Sequence, residues 1–161
     1  IYQYVNLTKA KIQGVVAQVE LKVGQRWTLQ TGAAYLQGDS QINGISTPIN
    51  SVQPFKAMFG LQYDAGEWGG QATVLYSAAK DPSRIAPGRT SQFASPDYTV
   101  LDLGVYWKPS TNLTLNANLN NALDTKYWRW SDVSGLTENS RIADAYTAAG
   151  RTVHVSLRYD F

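Results

Sequence analysis

The chain has 161 residues, 43% hydrophobic and only 16% charged, with 14 Lys and Arg against 12 Asp and Glu and no Cys. That length suits one domain spanning 1–161, and a net charge of +2 gives no bulk field for nucleic acid. The lack of Cys excludes disulfide scaffolds, thiolate zinc sites and cysteine nucleophiles, the 5 Trp and 10 Tyr exclude disorder, and no apolar run reaches the roughly 18 residues of a membrane helix.

The dominant period is two, segment after segment, which argues an all-β chain. Ile1 to Val5 alternates like the middle of a strand, so we expect the chain to begin inside an element whose upstream partner is missing. From Val15 to Val23 the odd positions Val15, Ala17, Val19, Leu21 and Val23 are all apolar, and Val16 is the one apolar residue on the even phase. Trp27 and Tyr35 then mark the ends of a second run, Phe55, Ala57, Phe59, Leu61 and Tyr63 form a third, and Trp68 and Tyr76 bound a fourth. Leu101, Leu103, Val105 and Trp107 follow. Leu113, Leu115, Ala117 and Leu119 oppose Thr114, Asn116, Asn118 and Asn120, and Val153, Val155, Leu157, Tyr159 and Phe161 close the series.

Within these runs Glu20, Lys22, Lys56, Asp64, Asp102, Lys108, Arg158 and Asp160 all fall on the polar phase. A charge facing lipid near the midplane costs about 2–4 kcal/mol, so a membrane barrel demands this exclusion, although a soluble sandwich core shows it too. Aromatic spacing favours the barrel. Trp27 and Tyr35, Phe55 and Tyr63, and Trp68 and Tyr76 each lie eight residues apart. At about 3.3 Å per residue and a tilt near 40° that spans roughly 20 Å, close to the apolar band between aromatic girdles. Short connections at 24–26, 65–67 and 109–112 alternate with long ones near 39–53, 80–96 and 124–150. Outer-membrane barrels have short periplasmic turns and longer external loops, so Trp27, Tyr63, Trp68, Trp107 and Phe161 fall at the periplasmic rim. Lys9 and Lys11 share the phase of Val15, which requires a bulge near Gly14 or a position above the bilayer.

Gly150 to Phe161 resembles the last strand of a TonB-dependent outer-membrane receptor, and Tyr159 with the terminal Phe161 resembles the signal read by the barrel-assembly machinery. Tyr4-Val5-Asn6 followed by Lys9 to Val15, and the run Asn120-Asn121-Ala122-Leu123-Asp124-Thr125-Lys126-Tyr127-Trp128, resemble late segments of the same family. Trp128 to Gly135, and Ala145-Tyr146-Thr147 ahead of Gly150-Arg151, are most similar to its haem and haemoglobin receptor branch. Val16 departs from the pattern, for the family commonly has Glu there.

The resemblance implies an antiparallel transmembrane β-barrel segment, about the last eight strands of a 22-stranded barrel, with the plug and earlier strands absent. It implies part of a transporter in the bacterial outer membrane that takes up haem, free or from haemoglobin or a haem carrier protein. The expected partners are the upstream barrel and plug, TonB through the missing N-terminal part, and outer-membrane lipid. No cofactor is expected to reside in this chain, haem being the cargo. A ferric-siderophore transporter of the same fold and a small eight-stranded anchor or pore are the alternatives.

Candidate ligand-facing residues sit in the long loops: Arg84 and Arg89, then Lys126, Tyr127, Trp128, Arg129, Trp130 and Arg141. Rings and cations suit a flat apolar ligand with two carboxylates, or a protein carrier. For the rings Tyr127, Trp128 and Trp130 the favoured reading is that they fold the loop base and mark the outer interface. His154, the chain's one imidazole, falls on the lumen phase about halfway down the last strand and reads as a wall or plug-facing residue. No carboxylate has a defined place beside His154 and Ser156, so an enzyme is not expected.

Overall fold

The computed structural model describes residues 9–42 and 44–161. Its strands are β1 (Lys9–Val23), β2 (Trp27–Ile42), β3 (Ile45–Pro48), β4 (Lys56–Asp64), β5 (Trp68–Ser77), β6 (Tyr98–Ser110), β7 (Leu113–Asn120) and β8 (Thr152–Tyr159). They make one antiparallel sheet in the order β1-β2-β4-β5-β6-β7-β8, with β3 folded back on the outer end of β2. The sequence places β3 inside a loop; it is instead a short hairpin arm, because Ile45 to Pro48 extends against Asp39 to Ile42. The strand end read at Ile1 to Val5, and the Tyr4-Val5-Asn6 motif, lie outside the described residues. Among the described residues β1 and β8 do not pair with each other, so these strands do not close into the small barrel.

Register carries the alternation across the whole sheet. One face runs Val19, Thr31, Phe59, Val74, Leu101, and lower down Leu29, Leu61, Ala72, Leu103, Leu119, Val153. The other runs Glu20, Gln30, Gly60, Thr73, Asp102, and beside it Gln62, Gln71, Gly104, Asn118, His154. Because the side-chain period is two, a slip of one residue anywhere would send charges onto the apolar face. That face has no protein core behind it: Val155 is 73% exposed and Val15 70%.

Rings gather at both ends of the apolar face. At the short-turn end Trp27 and Tyr63 lie 4.7 Å apart and Tyr63 and Trp68 5.1 Å, with Trp107 opposite Trp68. Tyr159 and Phe161 meet edge-on at 5.1 Å. At the other end Phe55 and Tyr76 are 6.5 Å apart.

The Lys9 and Lys11 conflict resolves by height. The β1–β2 ladder runs without a shift from Lys9 opposite Gln41 to Val23 opposite Trp27, so there is no bulge at Gly14. Lys11, opposite Asp39, stands four residues beyond the Val15–Tyr35 rung. At about 3.3 Å per residue and a tilt near 40°, that is roughly 10 Å above the outer ring. The β6–β7 ladder, by contrast, does shift between Trp107 and Ser110. Pro109 lies in that interval and has no N–H to give to a ladder.

Candidate ligand-facing loop layer

At one end the strands are joined by tight turns in which Gly24 and Gly66 take φ of 68° and 87°, a region that side chains resist. At the other end the connections 49–55, 78–97 and 121–151 pack into a single layer. Backbone bonds tie the second to the third: Phe93 N donates to Leu136 O at 2.9 Å and Glu138 N to Ser91 O at 2.9 Å. Asn50 ties in the first. Its Oδ1 accepts from Ala86 N at 2.6 Å, its Nδ2 donates to Gln92 Oε1, and its carbonyl accepts from the Trp130 indole.

This layer lies over the polar-phase face. Tyr98 and Val100 belong to that phase and are buried, stacked with Tyr127 at 4.4 Å between the Tyr98 and Tyr127 rings and packed against Leu75 and Ala148. The β7–β8 connection therefore turns inward over the lumen side. The base of that connection explains the Asn121 to Asp124 run: both residues adopt positive φ, 49° and 53°, which Asn and Asp tolerate. Asn121 Nδ2 donates to Thr125 O and Ala149 O, and Asp124 Oδ1 accepts from Arg151 N at 2.9 Å. Each amide or carboxylate thus pins the outgoing arm to the returning one.

The eight loop candidates divide. Tyr127, at 9% exposure, and Trp130, at 2%, are inside the layer, which corrects their reading as ligand-facing: their rings are its packing groups, on the lumen side rather than at the lipid interface. Trp128 is half-buried, edge-on to Phe93 at 5.6 Å, with its indole N–H on Ala143 O. Lys126 pairs with Asp144 at 2.8 Å and lies over the Trp128 ring. Arg84 is tied to Asp39 at 3.1 Å and to Gly38 O. Arg89, Arg129 and Arg141 are exposed, and Arg89 lines an open hollow of about 780 Å3 with Phe93 and Glu138. His154 is exposed at the third position of β8, just to the outer side of its middle, with Asn118 across from it.

Sequence reasoning missed Lys80 and Asn50. Lys80, 5% exposed, donates to Val52 O at 2.8 Å and stands 4.8 Å over the Trp130 ring. Burial holds its ammonium below the usual lysine range, Arg84 acts in the same sense and Asp81 opposes. A buried cation held by a carbonyl and a ring joins all three loops at one point.

The carboxyl of Asp124 is held below its ordinary value of 3.8, first by the Arg151 N–H and then by the Arg151 charge. A depressed folded pKa contributes stability that is present above the unfolded value and lost as pH falls through the folded one. We expect the Arg151 amide to lose exchange protection as pH falls below that range, and an Asp124→Asn variant, which keeps the acceptor and tolerates positive φ, to show a flat profile. An identical acid response in both would remove the carboxylate from the explanation.

The family model for the TonB dependent receptor-like β-barrel matches residues 1–122. The chain belongs to that family. A probable haemoglobin and haemoglobin-haptoglobin-binding protein of Haemophilus influenzae is 28% identical over 93% of this chain and 17% of its own length. A haemoglobin-haptoglobin utilization protein of Neisseria meningitidis is 32% identical over 80% of this chain and 18% of its own. The chain thus spans under a fifth of the length of these relatives. Among solved structures, the copper transporter OprC superposes with a TM-score of 0.75 at 23% identity, covering 94% of this chain and 23% of that one. The ferric enterobactin receptor of Pseudomonas aeruginosa gives 0.69 at 21%, covering 97% and 23%. These likenesses concern the fold: the meander with loops at one end and tight turns at the other is a shared barrel wall. The family is one of Gram-negative outer-membrane receptors, and the relatives are receptors and transporters rather than enzymes.

Proposed function

We propose that these residues are part of an outer-membrane transporter that takes up haem, free or from haemoglobin or another carrier, with energy delivered from the inner membrane through TonB. The observation that carries this reading is the alignment with haemoglobin-haptoglobin binding and utilization proteins over 80–93% of the chain. In this reading residues 1–161 are the C-terminal portion of a larger barrel whose plug and earlier strands come before them. The small share of each relative that is spanned, and the β1 and β8 edges that do not pair with each other, support it. Backbone N–H and C=O groups at a sheet edge find no water in hydrocarbon, so such edges need partner strands. Haem is cargo here and no cofactor is assigned to the chain. The exposed Arg89, Arg129 and Arg141 are the groups that would draw haem carboxylates or an acidic carrier surface toward the mouth. Tyr159 and Phe161 would serve as the assembly signal.

Ferric-siderophore uptake is the second reading, favoured by the shape shared with the enterobactin receptor. Growth separates the two. A strain lacking the encoding gene should fail on haem or haemoglobin as sole iron source and grow normally on ferric siderophores. The opposite pattern would replace the haem reading by the siderophore one.

A further inference from the structure

The short-turn end of the apolar face carries a feature outside the loop layer described above. Gly70 and Ala72 of β5 lie on the apolar phase between two taller ridges, Tyr63 and Leu61 of β4 on one side and Val105 and Leu103 of β6 on the other. Strands β4 and β6 are two spacings apart, roughly 9.5 Å, so the small residues leave a trough along β5. Trp68 closes its lower end, and Trp27, Leu61 and Tyr63 wall the β4 side of a shallow, open groove of about 580 Å3 floored by Gly70 and Ala72. Gly69, on the opposite face, is forced by the Tyr106 ring, which an added Cβ would strike at 2.4 Å. At Gly70 an added Cβ would meet Gly104 O at 3.2 Å, a tight approach to backbone but a lesser one than at Gly69.

At the foot of the groove stands Arg26, in the β1–β2 turn. Its Nη1 donates to Tyr63 Oη at 3.2 Å, and it makes no ion pair among the described residues. A guanidinium carries five N–H donors, so the others remain for an anion beside the phenol. The arrangement is an apolar channel with a cation at the level where interfacial rings mark the headgroup zone.

We propose that this groove holds one glycerophospholipid of the periplasmic leaflet. An acyl chain lies along β5 over Gly70 and Ala72, and the phosphate meets Arg26 and the Tyr63 hydroxyl. The occupant is a phospholipid because the groove opens at the end away from the external loops, and because Arg26 calls for an anion that a second apolar barrel face would not bring. The inference rests on the outer-membrane reading.

The test uses the full-length receptor purified from outer membranes in mild detergent and weighed by native mass spectrometry. Wild type should retain one phospholipid. Arg26→Gln, which loses the charge, should cut the bound fraction about fivefold. Ala72→Leu, which fills the trough, should do the same, whereas Arg158→Gln, a cation at the same end on the polar phase, should leave it unchanged. Equal occupancy in all four heat-modifiable, membrane-derived proteins overturns the site and spares the membrane reading. Retention of lipopolysaccharide in place of phospholipid, or a lipid-free dimer that Ala72→Leu disrupts, also overturns it. A wild-type receptor that does not fractionate with outer membranes sinks both.

Discussion

Arginine at Leu115 or Val155 sharply lowers the amount of folded, heat-modifiable receptor in outer membranes, whereas arginine at Asn116 or Ser156 leaves it near the wild-type amount. The four positions are neighbours on the same two strands: Leu115 faces Leu157 and Val155 faces Ala117 on the apolar phase, while Asn116 faces Ser156 on the other. Helix or strand propensity cannot separate them, since each pair shares one backbone environment. Only what lies beyond each face differs. A cation on the lipid side near the midplane costs about 2–4 kcal/mol, a large part of the stability of a typical domain. On the lumen side the Asn116 Nδ2 to Ser156 Oγ bond, at 3.3 Å, contributes little, and an arginine head there can reach water. Val155 has no packed protein neighbours to disturb, being 73% exposed, so steric damage to a core cannot account for its loss. Equal loss at both phases would remove the lipid from the explanation.

The strands were legible because each separates two different surroundings, and period two records that difference in Leu113 to Asn120 or Val153 to Phe161 residue by residue. The record blurs where the surroundings change. At the outer ends Leu75, Tyr98 and Val100 put apolar groups on the polar phase, since the inward-turned loop replaces lumen water above β5 and β6. Those exceptions to alternation, Val100 beside Leu101 above all, were the available sign that something covers that face. Loop chemistry was harder to read. Residue type suggested ligand-facing roles for Tyr127 and Trp130, but whether a ring faces outward or packs depends on contacts 80 positions away, as between Trp130 and Asn50. Nothing near Lys80 in the chain announces a buried ammonium. Its carbonyl partner and its aromatic partner arrive from two different loops.

That crossing gives the other large effect expected. Replacing Trp130 by Ala should loosen residues 49–55, 78–97 and 121–151 together while the strands keep their protection. Truncating a buried Trp ordinarily costs about 3–5 kcal/mol, from lost burial and the cavity left behind. Here two further losses follow. The Asn50 carbonyl loses the indole donor, and the Lys80 ammonium loses the ring that faces it, leaving a buried cation on the Val52 carbonyl. A charge left so poorly compensated leaves the interior, and Val52 and Ser95, which it and its backbone bond hold, are released with it. Trp128→Ala is the matched control: its indole bonds within its own connection, to Ala143 O, so loosening should stay within 121–151 and the Phe93 contact. Hydrogen exchange on the full-length receptor reads both variants loop by loop. If Trp130→Ala exposes 121–151 alone and the other two connections exchange as in the wild type, the layer is three independent loops, and the inward cap over the lumen face is held by Tyr98, Val100 and Tyr127 rather than by the Lys80 crossing.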